Sequence, residues 1–237
     1  MWLCTPRGVT HEKVRERAGH SILSILWLPL TWHASHQSAS HEAATYNARA
    51  MLRRAHRMTP TKADLAAAAG TTLPDVIARD LDVLFCGINP GLYTAAVQQH
   101  FGRPGNRFWP SIHKAGFTPR LFHPSEQREL LKHGCGITNV VARATAAAAE
   151  LTSPELVEGA RILEAKIRRY KPRVLAIVGI GAYRTGFGRP RAKIGLQEET
   201  IGDTRIWILP NPSGLNANYQ SEELAALYRE LREWVSG

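Results

Sequence analysis

Two turns in this chain combine an amide with proline and small residues: Gly87-Ile88-Asn89-Pro90-Gly91 and Pro210-Asn211-Pro212-Ser213-Gly214-Leu215-Asn216. Small residues let backbone N–H groups come close to a bound ligand, while an asparagine side chain brings both a donor and an acceptor. Neither turn contains a titratable base or a nucleophile. Chemistry here would therefore rest on hydrogen bonds to a ligand, not on proton abstraction by the protein. Either turn alone is ordinary loop chemistry; two of them at one edge of a sheet describe a pocket.

Other catalytic signatures are missing. The chain has no Gly-x-Ser-x-Gly elbow, no Gly-Lys-Ser/Thr phosphate loop and no carboxylate pair. Gly179–Gly186 follows an apolar run, but its third glycine falls two residues late for a dinucleotide fingerprint, so it reads as a strand-to-helix turn.

For the two turns to converge, strands must deliver them. Leu81–Cys86, Cys135–Val140, Val174–Val178 and Arg205–Leu209 are short and largely apolar, the pattern of buried strands. Thr152-Ser153-Pro154-Glu155 is a capping box with proline early in the first turn. It opens a helix that sets Leu156, Ala160, Leu163, Ile167 and Tyr170 on one face. A last helix over 221–234 repeats the pattern with Leu224, Leu227, Tyr228, Leu231 and Trp234. Strands alternating with helices predict a mainly parallel α/β sheet covered on both faces, with ligands at the carboxyl ends of its strands. The alanine tracts at 66–69 and 146–149 read as a helix and a loop edge.

The length of 237 residues, 44% of them hydrophobic, suits one α/β core. A formal charge of +10 predicts attraction to polyanions, of which nucleic acid is the commonest large one. That charge is uneven, since residues 1–62 hold nine Lys/Arg against three Asp/Glu. Residues 1–57 also carry six of the ten histidines and little periodicity. They are expected to be a disordered basic leader or the product of a misassigned start, with Met51 and Met58 as other starts. Residues 58–76 then form a linker or helix, and 77–237 the folded domain. His33, His36 and His41 have metal-like spacing without accompanying Cys or carboxylates, so a solvated tail is the preferred reading. The three cysteines, Cys4, Cys86 and Cys135, support no disulfide framework and no four-thiolate zinc or iron–sulfur site. A reducing, cytoplasmic setting without metal or cofactor is expected. Ile22–Leu30 is about half the length of a membrane helix, so no membrane partner is expected either.

GINPGL at 87–92, PGNRFW at 104–109, GITNVVAR at 136–143 and LPNPSGLN at 209–216 closely resemble, in order and spacing, the mismatch-specific uracil-DNA and thymine-DNA glycosylases. The resemblance runs from about residue 78 to 235 and leaves the leader out. It implies the uracil-glycosylase fold, a three-layer α/β/α sandwich with a mainly parallel central sheet. It further implies a monomeric base-excision-repair hydrolase whose partner is double-stranded DNA holding a uracil or mismatch. Such an enzyme flips the nucleotide out, cuts its N-glycosidic bond and leaves an abasic site.

By motif match, Asn89 resembles the residue that holds the attacking water. Ile88, Phe101, Asn139 and Asn211 resemble the residues around the base, with Phe101 stacking on it; the rival readings are core packing for Phe101 and a buried structural amide for Asn139. His100 matches the thymine-glycosylase branch, but a solvated loop histidine is the preferred reading. Ser213 and Gly214 would give N–H groups to a phosphate or the orphan guanine, and Leu215 resembles the wedge that enters the duplex. Asparagine at 89, where fast uracil glycosylases carry aspartate, implies slower chemistry that leans more on the leaving group. Mismatch-specific relatives carry arginine two residues beyond the wedge, whereas this chain has Ala217, which leaves strictness for guanine mismatches open. Arg103, Arg107 and Arg143 are expected to face phosphates, and Arg168–Arg173 to lie on a solvated helix face. Two rivals stand beside this reading: a non-catalytic module that reads uracil or mismatches on the same fold, and a nucleotide-binding enzyme using Gly179–Gly186.

Overall fold

Four apolar runs alternate with amphipathic helices, and each run becomes a strand because both of its faces find cover. The structure, a computed structural model, describes residues 59–214 and 216–237, so the expectations for the leader lie outside the described residues. In chain order the elements are α1 (Lys62–Ala67), β1 (Val83–Gly87), α2 (Leu92–Val97), α3 (Phe108–Lys114), β2 (Cys135–Asn139) and α4 (Ser153–Tyr170). They continue as β3 (Val174–Val178), α5 (Ile180–Gly186), β4 (Gly195–Ile201), β5 (Thr204–Leu209) and α6 (Ser221–Ser236). Short 3-10 segments cover Pro124–His133 and Ala148–Glu150.

The sheet order is β2-β1-β3-β5-β4, with β2, β1, β3 and β5 parallel and β4 antiparallel to β5. Alternate residues of the central strands feed two cores. Val83, Phe85, Ala176, Val178, Trp207 and Leu209 pack under α3 and α6. Leu84, Cys86, Leu175, Ile177, Ile206 and Ile208 pack under α4 and α5. The result is the three-layer α/β/α sandwich with a mostly parallel sheet. Cys86 and Cys135 are both buried free thiols, and burial pushes each up, Cys135 to about 12. Among the described residues, no helix is long and apolar enough to cross a membrane, and no group of three or more His, Cys, Asp or Glu could hold a metal ion.

β4 and the short helices α2 and α3 are additions to the elements expected from sequence. Gly195–Ile201 (GLQEETI) is polar and alternates because β4 is an edge strand with one exposed face. The helices α2 and α3 span only six and seven residues, too few to show a period. Residues 59–76 supply α1 and then a strap. Val76 pairs antiparallel with Ile137 through two backbone hydrogen bonds of 2.9 and 2.7 Å, and Ala68 packs with Ala95 and Ala144.

The capping box of α4 is formed: Thr152 Oγ1 accepts from Glu155 N, and Glu155 Oε2 accepts from Thr152 N. Within that helix Gly159 faces the end of β2 so closely that a Cβ there would lie 2.5 Å from Val140 O. Alanine gains about 1 kcal/mol of helix propensity over glycine. Overpacking against a fixed backbone carbonyl costs about 1–3 kcal/mol. Gly159→Ala is therefore expected to lower the urea midpoint, and a raised midpoint would show that α4 can slide off β2.

Candidate active site

Parallel pairing puts the carboxyl ends of β2, β1, β3 and β5 at one edge. The connections leaving that edge enclose a cavity of about 450 Å3, within the usual size range for ligand sites. Ile88, Asn89, Phe101, Asn139, Asn211 and Ser213 all line it, joined by His100 and Thr145. The two asparagine turns thus open onto one space. Gly179 lets the β1 and β3 ends close up, since a Cβ there would sit 2.8 Å from Ile88 Cγ1.

Asn89 has its amide orientation fixed by its neighbours. Nδ2 donates to Arg143 O at 2.9 Å, to Pro90 O at 3.3 Å and to Thr145 Oγ1 at 2.7 Å. Two of these partners are carbonyls, and the third is a hydroxyl already donating to Ala147 O, so all three can only accept. Nδ2 must face them, and Oδ1 is left as an acceptor without a protein partner among the described residues. A group so placed can hold a water by one of its protons and cannot take that proton away.

Gly87 lies between Asn139 and Phe101. It is paired with Asn139 across β1 and β2, and a Cβ on it would meet Asn139 Oδ1 at 2.4 Å and the Phe101 ring at 3.4 Å. Only glycine leaves Asn139 in place, while the Phe101 ring would be in ordinary contact. Phe101 is partly buried and stacks on Phe108 with ring centroids 4.0 Å apart and planes 20° from parallel. Core packing and cavity lining are therefore both true of it. Its φ of 53° is the left-handed region, which costs a side-chain-bearing residue about 1–2 kcal/mol. The flanking bonds hold it there: His100 N donates to Gln127 Oε1 at 2.7 Å, and Trp109 Nε1 donates to His100 O at 3.0 Å. The surrounding structure thus holds this strain at the cavity wall.

His100 is not a solvated loop residue. It is 1% exposed, and Nε2 lies 3.0 Å from Pro74 O in the strap. A carbonyl only accepts, so Nε2 carries the proton and Nδ1 is the ring's acceptor. Burial pushes its pKa below the ordinary value, with the Pro74 bond opposing. The same strap carries Asp75, which accepts from Thr138 Oγ1 at 2.7 Å and pairs with Lys166 of α4, so the residue beside Asn139 is fixed from behind.

The second turn is closed on itself. Asn211 Oδ1 accepts from Ser213 N at 3.0 Å, and Asn216 Nδ2 donates to Asn211 O at 3.0 Å. Asn211 therefore keeps Nδ2 as its outward donor, while the Ser213 N–H, expected to serve a phosphate, is committed within the turn. Arg107 is turned inward rather than toward phosphates. Its terminal nitrogens donate to Tyr219 O at 2.5 Å, Ser213 O at 2.7 Å and Asn216 O at 2.8 Å, and its own N–H donates to Pro212 O at 2.9 Å. Gly214 is exposed yet backs onto Gly105, whose carbonyl would lie 2.5 Å from an added Cβ. Arg143 likewise is held, by Glu155 at 2.8 Å, whereas Arg103 is exposed at the cavity rim. Leu215 lies outside the described residues.

Sequence reasoning missed three contributors: Thr145 as an anchor of Asn89, Arg107 as the clamp on the second turn, and Gly87 as the floor. A glycine ending an apolar strand beside the asparagine turn was the available signal for Gly87. Nothing local marks Thr145 or Arg107, whose partners are far along the chain.

Since His100 is harder to protonate folded than unfolded, its contribution to stability is full above an ordinary histidine pKa of about 6.5 and is lost as pH falls through the lower folded value. His100→Gln is expected to flatten that acid limb in melting temperatures measured across pH 4 to 7, and an unchanged limb would show that His100 does not carry it.

Residues 74–232 match the model of the Uracil DNA glycosylase superfamily. A solution NMR structure from Methanosarcina acetivorans, of a protein assigned as a uracil DNA glycosylase, is 20% identical with a TM-score of 0.47. That alignment covers 69% of this chain and 98% of the other. With the family match extending over most of its length, this chain belongs to the uracil DNA glycosylase superfamily.

Proposed function

We propose that the protein is a monofunctional DNA glycosylase acting on uracil, or a related pyrimidine in a guanine mismatch, flipped from duplex DNA into the cavity at the strand ends. The observation that carries this reading is the fixed amide of Asn89, which offers an acceptor and no base to a water. Breaking the bond between C1′ and the base nitrogen builds positive charge on the sugar and negative charge on the departing base. The water held at Asn89 Oδ1 adds its oxygen to C1′, its proton passes to solvent, and the bond's electron pair leaves with the base. Donors such as Asn211 Nδ2 and the Asn139 amide favour that anion, and each well-placed donor is typically worth about 3–4 kcal/mol. Phe101, braced on Phe108, supplies the stacking face, worth about 1–3 kcal/mol per base. With no base to activate the water, the rate depends on how well the leaving group carries charge. That dependence supports activated or mismatched bases as substrates, with Ala217 in place of arginine easing the demand for an opposite guanine.

The test incubates the full chain with end-labelled duplexes bearing one U·G, T·G or U·A pair, followed by alkali to reveal abasic sites. U·G is expected to be cut, and a duplex that is bound but never cut would make the protein a binding module. Asn89→Ala is expected to lose about 100-fold or more in single-turnover rate with little change in duplex affinity. Full activity in that variant would remove Asn89 from the mechanism. Gly87→Ala, which keeps every proposed catalytic group but displaces Asn139, is expected to stay folded and to lose excision, and a parental rate would show that Asn139 is dispensable.

A further inference from the structure

Behind the Asn211–Asn216 turn lies a second concavity of about 660 Å3, and Asn211 and Ser213 are a wall common to it and the base cavity. Its other polar lining comes from Arg184, Lys193, Asn216, Asn218 and Tyr219, with no carboxylate among its lining residues. Arg184 is aimed by its own hydrogen bonds: Nε and Nη2 both donate to Ala192 O, at 3.1 and 2.7 Å. Among the described residues neither Arg184 nor Lys193 takes part in an ion pair, while neighbouring Arg189 is paired with Glu199. Two uncompensated cations in one concavity focus a positive potential there. That matters in this chain because the charge beyond residue 62 is only mildly basic.

We propose that this cleft is a phosphate site that grips the backbone of the DNA strand carrying the flipped nucleotide. The proposal rests on the reading that the neighbouring cavity takes that nucleotide. A strand delivering its base to one side of the Asn211–Asn216 turn passes over the turn, and its next phosphates reach the other side. The wall between the two sites is held by the Arg107 clamp, so a phosphate gripped in the cleft and a base held in the cavity are placed in fixed register. Phosphate contacts of this kind set position and carry no sequence information.

The experiment measures fluorescence anisotropy of the full chain with a labelled duplex holding one tetrahydrofuran abasic site, which cannot be hydrolysed, over a series of KCl concentrations. Each phosphate neutralised contributes about 0.9 to the slope of log affinity against log salt. Lys193→Gln, which breaks no internal hydrogen bond, is expected to lower the slope by about 1, and Arg184→Gln with Lys193→Gln by about 2. Arg168→Gln with Arg169→Gln, which removes the same charge from the exposed end of α4, is expected to leave it nearly unchanged. An unaltered slope in the cleft variants, or an equal drop in the α4 pair, would overturn the proposal. Because the probe needs no excision, absence of glycosylase activity would leave this comparison decisive, and a failure here would leave the excision assay untouched.

Discussion

An amide side chain has two ends of opposite hydrogen-bonding character, and the chemistry of this cavity depends on which end of Asn89 it receives. Two backbone carbonyls and the Thr145 hydroxyl take the donor end. Those acceptors come from Pro90 and from the connection after β2, which is itself tied to the first turn by hydrogen bonds between Thr145 N and Pro90 O and between Leu92 N and Thr145 O. The parallel pairing of β1 with β2 thus positions Asn139 and also orients Asn89. Reversing the Asn89 amide would set its oxygen against three acceptors, a cost of unpaired polar groups that keeps the acceptor end free.

The opposite wall is organised by a cation. Arg107 sits just before α3, in the block that also supplies Phe108, and reaches four carbonyls of the second turn and its continuation when its main-chain bond is included. Its Nε is buried without a partner among the described residues, so the side chain's share of the clamp comes from the terminal nitrogens. Phe108 meanwhile carries Phe101 on its ring face. One short helix therefore braces both the Phe101 ring and the amide turn across from it, which couples the two sides of the cavity.

Electrostatics in the site is built from fixed dipoles and one neutral imidazole rather than from shifted carboxylates. Burial keeps His100 uncharged near neutral pH, and the cations close to the cavity are mostly engaged: Arg107 with carbonyls and Arg143 with Glu155. Donors and acceptors held in place in this way can meet a developing charge with little reorganisation.

The sequence by itself determined the sheet and the cast of the site. Four apolar runs, a capping box and two asparagine turns are local signals, and strand alternation implies that parallel strands end at one edge, which is why Asn89 and Asn211 were legible together, with Asn139 joined to them by the family resemblance. Only the tertiary structure decided what each group does there. His100 read as solvated from its polar loop, but the strap at Pro74 covers it; Arg107 and Arg143 read as phosphate contacts, but carbonyls and Glu155 take them inward. The edge strand β4 escaped notice because half its residues face solvent. Hydrogen-bond direction, burial and the left-handed backbone of Phe101 arise from partners outside the local segment, and local propensity carries no record of such partners.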